Sequence, residues 1–235
     1  METEPSLAEE ELDMTSMHRD SKLASQIWEG KPEAIREVRR SYEADPEGQF
    51  VPWVSTLYSF RSISACAQEL TMLIPRMVAW VGDEELAKMD HLDPLGRADQ
   101  FDVISTVLVW AAERASSEHE KSRLMERAYD AVGHGLYLVP KQALLLHTRP
   151  LLFLTRVQTS LWSDLKDEAR ATLRLVSTLV PHVADPNQKV RIYRKLGLLE
   201  LKTGNLRGLK HLFQSLFVKD VAAAIHRKTL FFWKW

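Results

Sequence analysis

Apolar side chains recur along this chain at intervals of three and four, the spacing that lines one face of an α-helix. Nowhere does a period of two persist long enough for a strand. Leu23, Ile27 and Trp28 share a face, and Gly30 ends that helix. Pro32 suits a first turn, where its missing N–H costs nothing. The stripe behind it is Ala34, Ile35, Val38 and Tyr42, closed by Asp45-Pro46. Trp53, Leu57, Phe60, Ile63, Leu70, Leu73, Ile74, Met77, Val78 and Trp80 form a run too long for a strand and expected to kink near Pro75. Asp83 to Met89 reads as a short helix, and Asp93-Pro94 opens another that reaches about Ala115 on the face Phe101, Ile104, Leu108, Trp110. Ser117 and Glu120 make a capping box for a helix to Val132, which Gly133-His134-Gly135 is expected to close. Pro140 and Pro150 start two more, the second reaching Trp162, and Ser163 or Asp164 caps a helix over 165–180. A helix pair follows over 187–217, then a last helix over 219–232.

The pattern therefore predicts an all-α protein of ten to twelve helices joined by short turns, an array or bundle of antiparallel helix pairs. Residues 1–20 carry Glu2, Glu4, Glu9, Glu10, Glu11 and Asp13 and few large apolar groups, so they are expected to form a disordered acidic arm. Residues 21–235 are read as a single all-α domain with a basic C-terminal part, 186–235.

Composition agrees with this reading. Nine glycines and ten prolines in 235 residues are too few turn formers for an all-β fold of this length. The lone Cys66 excludes an intramolecular disulfide and a zinc site built on cysteine pairs. It lies in the apolar run 63–67 and reads as a buried, inert thiol in a reducing compartment. The acidic start is opposite to the basic start of a signal peptide. The most apolar stretch, Leu136 to Val157, holds Lys141, Arg149, His147 and two prolines. A charge at a bilayer centre costs about 2.5–3.5 kcal/mol, so this stretch is expected to be core rather than a membrane span. The expected location is cytoplasmic.

The segment after Ala184-Asp185-Pro186-Asn187 carries Tyr193, Leu196, Gly197, Gly204 and Phe213. It resembles a tetratricopeptide repeat: an aromatic, Leu-Gly, Gly at the turn, and an aromatic in the second helix. The family's second-helix Ala position falls on Leu209 and its inner aromatic position on Glu200. Leu23 to Pro46, with Gly30, Glu33-Ala34-Ile35 and Asp45-Pro46, matches a second, shorter version. The resemblance covers about a quarter of the chain. It implies a stacked helical-repeat fold with a concave surface for a peptide or partner helix.

Net charge is −1, but the charge is unevenly spread. Residues 186–235 hold eleven Lys and Arg against two acidic residues, about +9, and the remainder holds 20 against 30, about −10. Arg191, Arg194, Lys195 and Lys202 fall on a common helical face, and Arg207 and Lys210 do likewise on the next helix. Two readings stay open. These residues pair with the acidic arm or the acidic middle of the chain, or they meet an anionic partner. The end, His226 to Trp235, interleaves aromatic and basic groups and suits self-packing, a membrane surface or unpaired bases, with Trp233 and Trp235 as anchors.

No P-loop, dinucleotide glycine motif or nucleophile elbow occurs. Glu118-His119-Glu120 lacks a second histidine for zinc. The cluster Asp83, Glu84, Glu85, Asp90, His91, Asp93 reads as a solvated helix with its caps, and His134 as part of a turn. No catalysis, cofactor or metal is expected. The reading is a helical-repeat scaffold or adaptor for a protein or peptide partner. Its partner-binding residues are Arg191, Arg194, Lys195, Lys202, Arg207, Lys210, Trp233 and Trp235. The alternative is a self-associating coat protein that binds RNA or an anionic membrane through the basic end.

Overall fold

The computed structural model describes residues 23, 25–27, 29, 31–45, 48–82, 94–139 and 148–218. Among the described residues the chain is all-α, with ten α-helices, one 3-10 turn and no strand. The acidic arm, the helix expected at 83–89 with its acidic cluster, the start at Pro140 and the helix expected over 219–232 lie outside the described residues. The chain divides into two compact units, Met1–Ile74 and Pro75–Trp235.

The first unit contains α1 (Pro32–Ala44), α2 (Phe50–Ser59) and α3 (Ser64–Met72). α1 begins at Pro32 and stops before Asp45, whose carboxylate accepts the Gly48 N–H at 3.0 Å. The long apolar run is not one kinked helix. It is α2, α3 and α4 (Ile74–Trp80), with breaks at 60–63 and at Leu73. Pro75 sits in the first turn of α4, where no intrahelical bond needs its N–H, so it opens a helix instead of bending one. Phe50, Trp53, Val54, Leu57, Cys66 and Leu70 are buried. Burial pushes the Cys66 thiol pKa up, which keeps it in the unreactive protonated form. Glu69, nearly buried on α3, pairs with Arg39 of α1.

The second unit continues with α5 (Pro94–Ala112), α6 (Glu118–Leu138), α7 (Thr148–Trp162), α8 (Lys166–Leu179), a 3-10 turn (Val180–His182), α9 (Pro186–Lys202) and α10 (Arg207–Phe217). α5 buries residues all round, including Phe101, Ile104, Ser105, Leu108 and Val109, as expected of a central helix. α6 starts as the capping box predicts, with the Ser117 hydroxyl accepting the Glu120 N–H at 3.1 Å. It does not end at the glycines but runs to Leu138. Gly135 is a packing point: a Cβ there would stand 2.9 Å from both Leu152 methyls and 3.0 Å from the Phe101 Cβ. His134, inside the helix rather than in a turn, stacks on Phe101 with centroids 5.5 Å apart. α8 is capped by neither Ser163 nor Asp164. Leu165 holds the N-cap position, and Asp164 adopts the left-handed φ of 58° that lets the chain leave α7. Leu151, Leu154 and Val157 of α7, Leu173 and Val176 of α8, and Ile192, Leu196 and Leu199 of α9 form one buried cluster. The described part of the apolar stretch 136–157 is thus largely core. No described helix is long and apolar enough to cross a membrane.

The two glycines of α6 should respond oppositely to alanine. Gly133 has nothing within 4 Å of a Cβ, so Gly133→Ala should stabilise by about 0.5–1 kcal/mol through lost chain entropy. Gly135→Ala should destabilise by about 1–3 kcal/mol through overpacking. Urea unfolding of the two variants checks this, and equal responses would show that Gly135 is not a contact point.

Candidate partner-docking face

The second unit ends in two helices whose contact is set by small residues. Asp185 caps α9 by accepting the Asn187 N–H at 2.9 Å, and Pro186 occupies the first turn. At the other end Gly204 takes φ +78°, and the Asn205 N–H bonds back to the Glu200 carbonyl at 2.9 Å. The Asn205 side chain then accepts the Arg207 N–H at 3.1 Å as α10 begins. Where the helices touch, a Cβ on Gly197 would lie 2.8 Å from the Gly208 carbonyl oxygen, and one on Gly208 would lie 2.4 Å from that of Gly197. The small residue opposite Gly197 is therefore Gly208, not the next position, Leu209.

That contact turns α10. Gly208, His211 and Ser215 point inward, while Leu206, Leu209, Phe213 and Phe217 remain 75%, 47%, 60% and 72% exposed. They stand at i, i+3, i+7 and i+11, a single ridge along the helix. A helix ordinarily buries its large apolar stripe and exposes small and polar residues. α10 buries Leu212 and Leu216 only in part and leaves these four exposed, and contiguous exposed apolar surface marks interaction sites. Inside, His211 stacks on Tyr193 at 5.7 Å. Its Nε2 lies 3.4 Å from the Glu200 carboxylate and 3.3 Å from the Ser177 hydroxyl, and its Nδ1 lies 2.8 Å from Gln214. Burial pushes the Glu200 carboxyl pKa up, while His211 and then Arg207 pull it down.

The basic residues expected to form one face separate into two groups. Arg191 reaches Asp102 of α5 at 3.5 Å, and Lys202 reaches Glu113, just beyond α5, at 3.7 Å. Between them the Lys195 ammonium donates to Thr155 of α7 at 2.6 Å. One stripe of α9 thus faces carboxylates of its own unit. Arg194 is partly buried, and burial lowers its pKa. Arg207 and Lys210 on α10 are exposed. Trp233 and Trp235 lie outside the described residues.

At the start of α10 lies a cleft of about 480 Å³, lined by Arg170, Leu173 and Arg174 of α8, Glu200 of α9, Thr203, Gly204 and Asn205 of the turn, and Arg207 of α10. Its charged lining is three arginines and one buried carboxyl group. Arg170 and Arg174 did not stand out in the sequence, because Asp167 and Glu168 beside them make the segment look like an ordinary mixed face. Glu200 and His211 were also missed. Their one signal was a carboxylate at a helix position expected to be aromatic. A second cleft of about 410 Å³, lined by Pro186, Lys189, Tyr193, Gln214, Phe217 and Val218, lies at the other end of α10. Among the described residues no cluster of His, Cys, Asp or Glu is arranged to hold a metal ion. No family model matches the chain, and no curated protein or solved structure matches it either.

Lys195 gives this region a pH signature. Burial lowers its pKa from 10.5 to about 8, against the opposing pull of Asp102 and, less strongly, Glu113; Arg191 adds to the lowering. Between those two values the unfolded chain binds more protons than the folded one, so stability rises with pH. The cost of burying the ammonium is complete below pH 8 and is relieved toward pH 10.5. Stability measured across that window should rise more steeply for the native chain than for Lys195→Met. Parallel curves would place the amine in water.

Proposed function

We propose that this chain is a helical-repeat scaffold that docks a protein or peptide partner without catalysis. The observation that carries the reading is the outward ridge of α10, Leu206, Leu209, Phe213 and Phe217. Fully burying one such side chain is worth about 1.5–3 kcal/mol, so a partner covering the ridge gains affinity from a few central anchors. The tetratricopeptide resemblance over 193–213 supports the same reading, since stacked helix pairs present surfaces to peptides or partner helices. The competing coat reading draws on the basic C-terminal face. It is weakened because Arg191, Lys195 and Lys202 already meet Asp102, Thr155 and Glu113.

The test is selection of displayed random peptides on the full chain, repeated with Leu209→Ser/Phe213→Ser. Peptides of about sixteen residues match the ridge length at 1.5 Å per helical residue with some excess. Binders that lose at least about tenfold in affinity on the double variant are expected. Binders indifferent to the variant would move docking elsewhere. An absence of binders, together with RNA binding that collapses with salt, would favour the coat reading.

A further inference from the structure

We infer that the partner segment is an acidic amphipathic helix, with its apolar side on the α10 ridge and carboxylates received by the arginine cleft where the ridge begins. The inference rests on the docking reading above and adds the chemistry of the partner. Leu206 to Phe217 is eleven residue steps, about 16 Å along the helix, which is three turns of a partner helix with apolar side chains spaced by three and four. Leu206 and Arg207 are adjacent, so the ridge starts at the wall of the cleft. The cleft holds Arg170, Arg174 and Arg207 against one acidic side chain, Glu200. Glu200 is almost wholly buried and shared between His211 and Arg207, so one carboxyl group stands against three cations. Arg170 reaches Asp167 at 3.3 Å, but Asp167 is fully exposed and this pairing is weak. Arginine receives carboxylates in a planar, two-pronged geometry, which fixes register as well as attraction. Lys210 continues the positive charge along the ridge, and Lys189 lines the second cleft at its far end.

Charge also argues against two other occupants. A second copy docking ridge to ridge would bring the same positive residues, Arg207 and Lys210, with it and would supply no carboxylate to the arginine cleft. The segment 219–235 of this chain carries Lys219, Arg227, Lys228 and Lys234 against Asp220 alone, the same sign as the face it would cover. An acidic helix meets both the apolar and the electrostatic pattern, with the charges setting orientation and association rate.

Two peptide libraries of about sixteen residues decide the matter. They share one apolar pattern at helical spacing. One has Asp and Glu at the remaining positions and the other has Lys and Arg. Each is selected on the full chain. Binders are expected from the acidic library only. They should weaken by about tenfold or more on Arg174→Glu/Arg207→Glu at low salt, and on Phe213→Ser at any salt. Equal enrichment from both libraries, with dependence on Phe213, would overturn the acidic partner and leave the docking reading standing. Binders indifferent to Phe213→Ser, or no binders, would overturn both. Hydroxyl-radical footprinting of the full chain should modify Phe213 and Phe217 strongly. Protection in a monomer would assign the ridge to another segment of this chain, the acidic arm 1–20 or the end 219–235, and protection that grows with concentration would assign it to a second copy; either outcome overturns the inference.

Discussion

The approach of Gly197 to Gly208 decides the geometry of everything at the end of the second unit. Each glycine stands where a Cβ would collide with the other's carbonyl oxygen, so the two backbones meet with no side chain between them. Once that point is fixed, the helical period dictates the rest: His211 and Ser215 follow Gly208 inward, and the large residues are carried outward. The same contact brings the first residue of α10 beside Arg170 and Arg174 of α8, forming the cleft. A larger residue at either glycine would separate the helices and dissolve the cleft and the ridge together.

Electrostatics divides the same region into an inner and an outer part. The carboxylates Asp102 and Glu113 of the α5 region are met by Arg191 and Lys202, with Lys195 between them on Thr155. These two pairs place opposite charges side by side, although pairs with such exposed members contribute little to stability. They use positive charge that a view of the sequence alone assigns to partners. Four other cations, Arg170, Arg174, Arg207 and Lys210, lie on α8 and α10 and are exposed.

What the sequence disclosed followed the range of each signal. Pro32, Ser117 with Glu120, and Asp185-Pro186 act within a single helical turn, and each opens a helix where expected. Gly133 to Gly135 have the same local appearance as a helix stop, but the role of Gly135 depends on Leu152 and Phe101, which no local pattern names. Pro75 was expected to kink one long run, but the break at Leu73 places it in the first turn of a new helix. The helical class emerged from periodicity, whereas the boundary between the units at Ile74 left no trace in composition. At the candidate site, Arg207 and Lys210 were visible as an exposed basic pair. Arg191 and Lys202 were visible as charges, but their partners lie about ninety residues earlier in the chain. The ridge was hidden because the spacing of Leu209, Leu212, Phe213 and Leu216 does not by itself say which side of α10 is buried. Which side of α10 faces in depends on two glycines, not on where the large residues are.

The inverted helix also links stability to binding. α10 is held by close backbone packing, one histidine network and partly buried Leu212 and Leu216, with much of its apolar surface in water. Elements with few buried apolar contacts open locally at lower free-energy cost than the core. A partner that recognises the ridge binds only the formed helix, so it adds its binding free energy to this part of the chain: about 2.7 kcal/mol at a hundredfold excess over its dissociation constant. For such a partner the ordering of α10 and the occupancy of its ridge would be linked equilibria, and the arginine cleft, built in part on the same turn, would share in that linkage.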